Sequence, residues 1–186
     1  MSGRVEATTE MSDSTDTDTG ATYLTLAACW GEPTENLVAA VNDGHLSGVF
    51  ETTTTVSLEA LEREFTRLFI GPGEHQCPPY ESVYRDADAD QSLGPVMGES
   101  TRDVERWYRE YGVELDESNS ELPDHVTTEL EFIGYLERTE DEATAEKFRE
   151  EHLNRWIREF LDRVEQTTEL PYYRDLATIT RVAITG

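Results

Sequence analysis

The chain has 186 residues, enough for one domain with a full core. Its 40 acidic and 15 basic residues give a formal charge of −25, a surface that repels phosphate backbones and anionic lipid headgroups. Nucleic-acid and membrane-surface binding are therefore disfavoured.

No apolar run reaches the length of a membrane span, and no basic start with an apolar middle marks a secretion signal, so a cytoplasmic place is expected. The acidic residues are spread along the whole chain, and Lys147 is the only lysine. Both features read as a salt-adapted, halophile-like surface. Cys29 and Cys77 are too few for a disulfide framework or a zinc knuckle and are expected as reduced thiols.

Residues 1–20 are Ser-, Thr-, Asp-, Glu- and Gly-rich and carry too little apolar surface to offset ordering entropy, which predicts a disordered acidic tail. The remainder, 21–186, reads as one helical domain. A helix from Ala21 carries Tyr23, Leu24, Leu26 and Trp30, and a short one from Pro33-Thr34 ends near Gly44. The Thr-rich stretch from Leu46 to Val56 is expected as a connection. Leu58, Leu61, Phe65, Leu68 and Phe69 follow a helical period, with a stop at Gly71-Pro72 where glycine tolerates a left-handed cap.

A proline-rich loop then carries Tyr80 and Tyr84, and the acidic run Asp86–Asp90 reads as solvated loop. Further helices are expected from Ser100 to Tyr111, over 124–138, as one long element over 141–165, and from Pro171 onward. No alternating apolar run would build a sheet. The reading is all-α, a compact single-domain helical bundle.

Two motifs carry a resemblance. Phe65-Thr-Arg-Leu68-Phe69 with Gly71-Pro72 and Pro78-Pro79-Tyr80-Glu81-Ser82-Val83-Tyr84, followed by Glu121-Leu-Pro-Asp124-His125, resembles the TorD/DmsD/NarJ family of redox-enzyme maturation chaperones. With the weaker His152-Leu153-x-x-Trp156 and Pro171-Tyr172-Tyr173, the similarity runs from about Tyr23 to near the end. The resemblance implies a TorD-like bundle with no catalytic activity and no cofactor of its own. It further implies that the chain binds the twin-arginine signal peptide of a molybdopterin oxidoreductase of the DMSO or TMAO reductase type, until the client's molybdenum cofactor is inserted.

By that resemblance Phe65, Leu68, Phe69, Pro79, Tyr80 and Tyr84 form an apolar wall. Glu121, Asp124 and His125 form an arginine-facing end, and Gly98 lets a peptide approach closely. The residues alone leave other readings open. Asp124 after Pro123 fits an N-cap with His125 in the first turn. Phe65 and Phe69 fit a core, and His152 and Trp156 on the long helix fit packing positions.

Other chemistry finds little footing. No histidine has a glutamate three residues before it, which removes the di-iron bundle pattern, and His75-x-Cys77 has no matching pair. Gly-x-Ser-x-Gly, Walker and dinucleotide signatures are absent. The alternative from another class is a helical assembly subunit that docks on a mature oxidoreductase without reading its leader. An enzyme using His125 comes third, and long helical connections allow a swapped homodimer.

Overall fold

The computed structural model describes residues 18–47, 55–73, 75–88, 93–115 and 121–185. Short polar side chains start the first helices. Asp18 accepts the Ala21 N–H at 3.0 Å to open α1 (Thr19–Trp30), and Thr34 accepts the Leu37 N–H at 3.1 Å to open α2 (Glu35–Asn42). Ser57 does the same for α3 (Leu58–Phe65). Residues 18–20 depart from the expected disordered tail: Asp18 caps a helix and Gly20 is buried. Residues 1–17, and Gly48–Thr54 of the Thr-rich connection, lie outside the described residues.

The helix expected over 58–70 changes pitch before it ends. Thr66–Ile70 forms a π turn closed by the Gly71 N–H on the Thr66 carbonyl at 2.6 Å. Gly71 is extended (φ −67°) rather than left-handed, and a Cβ there would sit 3.1 Å from the Thr66 oxygen. Glycine serves close approach at this point, correcting the expectation of a left-handed cap.

The chain continues through α4 (Glu81–Arg85), α5 (Glu99–Glu110), α6 (Val126–Thr139), α7 (Glu142–Glu151), α8 (Ile157–Thr167) and α9 (Pro171–Thr185). Two expectations are corrected here. The Glu81–Arg85 segment, which carries Tyr84, is a short helix and not a loop, with Tyr80 extended just before it. The long element over 141–165 is two helices, because the His152 backbone (φ −123°, ψ −87°) leaves the helical region and a 3₁₀ turn, Leu153–Arg155, follows.

The described residues form no strand, and their one isolated bridge joins Tyr80 to His125. Helix α1 packs along α6, and α8 and α1 both pack on α9. The α1–α6 approach is close because Gly20 and Gly134 face each other. A Cβ on Gly134 would lie 3.0 Å from the Gly20 oxygen and 2.9 Å from Leu24 Cγ. Trp30 and Trp156 are fully buried, and the Trp30 indole donates to Thr180 Oγ1 at 3.0 Å, tying α1 to α9. Large rings of this kind contribute most of the area removed from water. Cys29 and Cys77 are buried free thiols, and burial raises the Cys29 pKa to about 11.

Candidate functional site

The two motif segments, about 40 residues apart in sequence, meet as paired backbone. Cys77 N–H donates to Leu68 O at 2.7 Å and fixes the loop to the π turn. Pro79 has no N–H to offer, but its carbonyl accepts the Val126 N–H at 2.9 Å. In return Glu81 N–H donates to the Asp124 carbonyl at 2.9 Å, so Tyr80 and His125 stand opposite each other in an antiparallel bridge. Tyr108 on α5 donates its hydroxyl to the Pro123 carbonyl at 2.7 Å from behind.

Asp124 is a cap, though of the other helix. Its Oδ2 accepts the Ser82 N–H of α4 at 2.9 Å, where α4's own cap position, Tyr80, supplies no side-chain acceptor. His125 caps α6 in its place, with Nδ1 accepting the Thr127 N–H at 3.2 Å and the Thr127 hydroxyl at 2.6 Å. That tautomer leaves the proton on Nε2, which donates to Glu121 Oε2 at 3.2 Å. Burial pushes the His125 pKa down to about 3, so the ring is neutral at ordinary pH. The Tyr80 ring meets it edge-on, with centroids 5.1 Å apart.

Beneath this joint lies a buried polar cluster. Glu81 and Glu129 are both inaccessible to solvent. Glu81 pairs with Arg85 on its own helix and with His152 Nδ1, 3.0 Å away where α7 breaks. Glu129 Oε2 accepts the Trp156 indole N–H at 3.1 Å, while its Oε1 is buried without a hydrogen-bond partner. Desolvation first, and the Glu81 charge second, push the Glu129 pKa well up. Three elements, α4, α6 and the α7–α8 break, are thereby tied together under the bridge.

The sequence-predicted residues divide by depth. Tyr80, Tyr84 and Phe69 are half-buried and reach the surface, as does Glu121. Leu68, Asp124 and His125 have at most 3% of their surface exposed, Phe65 has 7%, and Pro79 is buried. Leu68 and Phe65 belong to the core, which corrects their expected place on a surface wall. Asp124, expected to face an incoming arginine, is enclosed and faces the α4 N-terminus.

Tyr84 stacks on Trp156 (centroids 5.6 Å, 25° between planes), and Phe69 and Tyr84 both meet Phe160. Gly98 differs from expectation as well. A Cβ built there would overlap the Asp86 carboxylate, which accepts both N–H and Oγ–H of Ser100 at 2.9 and 2.7 Å and so caps α5. The opening at Gly98 is filled by Asp86, and Asp86 is no solvated loop residue.

Sequence reasoning passed over Glu81, Glu129 and His152 as a unit. One signal was available: Glu129 falls on the apolar face of α6, between Val126 and Ile133. Among the described residues no group of His, Cys, Asp or Glu is arranged to hold a metal, and no helix is long and apolar enough to cross a membrane.

Fold and joint together define an all-helical protein whose two motif loops meet over a buried acid–histidine cluster. Residues 25–162 match the family model described as the nitrate reductase delta subunit, and the chain belongs to that family. The Tat proofreading chaperone DmsD of Salmonella typhimurium is 29% identical over 130 residues, covering 70% of this chain and 61% of the relative. The chaperone protein TorD of Vibrio vulnificus is 28% identical over 124 residues, 61% of this chain and 55% of the relative. The chain thus spans less than two thirds of these curated relatives. A crystal structure of a candidate redox enzyme maturation protein from Archaeoglobus fulgidus matches with a TM-score of 0.62 and 25% identity, over 98% of this chain and 96% of that one.

Proposed function

We propose that the protein is a cytoplasmic maturation chaperone that binds the twin-arginine leader of a molybdopterin oxidoreductase. It holds the leader while the client's molybdenum cofactor is inserted, and it makes or breaks no covalent bond itself. The observation that carries the reading is the Tyr80–His125 bridge, which brings a half-buried aromatic ring and the half-buried acid Glu121 to one joint. Membership of a family whose relatives include proteins named DmsD and TorD supports it.

In this reading Tyr80, Tyr84 and Phe69 are the accessible part of the wall, and Glu121 is the accessible carboxylate. Pro79, Asp124 and His125 hold the joint in shape, with Phe65 and Leu68 beneath. Calorimetric titration of the full chain with a synthetic twin-arginine leader tests it. Saturable binding that survives molar salt is expected, and no heat of binding at any salt concentration would overturn the reading.

The family's description as a subunit favours a second reading, docking on a mature oxidoreductase. A client lacking its leader separates the two, because only an assembly subunit retains it.

A further inference from the structure

Beside the bridge, the segment after α5, Glu121 and one face of α6 line a cavity of about 320 Å³, at the small end of the usual range for ligand sites. Its walls include the rings of Tyr108, Phe132 and Tyr135. These rings pack on one another, Tyr108 edge-on to Phe132 at 4.6 Å and Phe132 stacked with Tyr135 at 6.1 Å and 17°. Three glutamates line the same cavity, Glu121 half-buried and Glu114 and Glu131 exposed. Glu121 is also the residue that meets His125 at 3.2 Å, so the cavity opens off the proposed binding face and shares a wall with it.

We propose that this cavity receives one arginine side chain of the bound peptide, its guanidinium lying among the rings and pairing with Glu121 and Glu131. The inference rests on the peptide-binding reading above and names the subsite that reads charge.

Aromatic faces attract a cation, and the planar guanidinium both stacks on rings and engages carboxylates through its fork. A lysine ammonium is a compact, strongly hydrated charge that does neither as well. An apolar occupant would exclude water from carboxylates whose pKa values burial already raises, deepening an existing cost. A guanidinium removes that cost.

The test is a calorimetric double-mutant cycle on the full chain in about 1 M salt, where general attraction to an acidic surface is screened to about 3 Å. The probes are a synthetic leader with both arginines and two versions in which one arginine is replaced by citrulline, its neutral isostere. The protein variants are Glu131→Gln at the cavity and Glu62→Gln on the exposed face of α3 as a control.

Wild-type protein is expected to lose about tenfold in affinity for one of the two citrulline peptides. Glu131→Gln should lose a similar factor for the arginine peptide and nothing further for that citrulline peptide, while Glu62→Gln changes neither. Equal losses by Glu131→Gln on arginine and citrulline peptides, or no loss at all, would overturn the subsite and leave the chaperone reading standing. A wild-type protein that ignores the arginine peptide would remove both.

Discussion

Asp124 Oδ2 accepts the Ser82 N–H at 2.9 Å, so a carboxylate in one motif caps the helix that begins in the other. This single contact gives Asp124 a structural duty that a peptide-contact role would not. Asp124→Ala is expected to cost about 1–2 kcal/mol by urea denaturation and to weaken leader binding. Asp124→Asn keeps an acceptor for Ser82 and should retain most of both. A folded Asp124→Asn protein that no longer binds would show that the charge itself meets the peptide.

Stability against pH follows two buried groups with opposite signs. Burial lowers the His125 pKa from 6.5 to about 3, so the unfolded chain takes up the proton first. The contribution of His125 is fully present above about 6.5 and is lost as pH falls toward 3. Glu129 is the reverse. Its folded pKa is raised above 4.5, so its contribution is present below about 4.5 and is lost as pH rises through the folded value. Each proton changes stability by up to about 1.4 kcal/mol per pH unit.

Chemical denaturation across pH should therefore give a maximum on the mildly acidic side. Glu129→Gln should flatten the alkaline limb and His125→Gln the acid limb. An alkaline limb as steep in Glu129→Gln as in wild type would remove Glu129 from this account.

Depth separates the aromatic positions. Tyr80→Ala removes a half-buried ring at the bridge and should weaken leader binding about tenfold in molar salt, with a modest loss of stability. Leu68→Ala opens a cavity in the core and should cost about 2–5 kcal/mol. Any loss of binding by the Leu68 variant should then track its unfolding, whereas that of Tyr80→Ala should not. Removing a distant surface glutamate should change neither measurement.

Gly98 and Asp86 should behave as one unit. Gly98→Ala pushes the Asp86 carboxylate off Ser100 and uncaps α5, at about 1–2 kcal/mol. In an Asp86→Ala background the same glycine substitution should cost little, a coupling readable from a denaturation cycle. Additive losses would mean that Gly98 is needed for some other reason.

Most of the helices were legible because their signals are local: Pro33-Thr34 announces a start, and Val126, Leu130 and Ile133 announce a face. The break at His152 was not, because the Leu153, Trp156, Ile157 and Phe160 pattern continues a helical period straight through it. What bends the chain there accompanies a pairing with Glu81, 71 residues away, which periodicity does not contain. The motifs pointed to the right neighbourhood of the surface but not to depth. Asp124 and Leu68 looked like contact residues and are enclosed, since burial is decided by segments distant in sequence, the 79–82 backbone paired with 124–126 and the Cys77 loop held against Leu68.

Trp156 occupies an unusual listening post. Its indole nitrogen holds the buried carboxyl of Glu129 and its ring face lies on Tyr84, a candidate wall residue. Emission from this one chromophore should therefore respond at both contacts, shifting in colour when the Glu129 proton leaves and in intensity when a guest covers the accessible part of the Tyr84 ring. The protein carries its own optical gauge of whether the two sides move together.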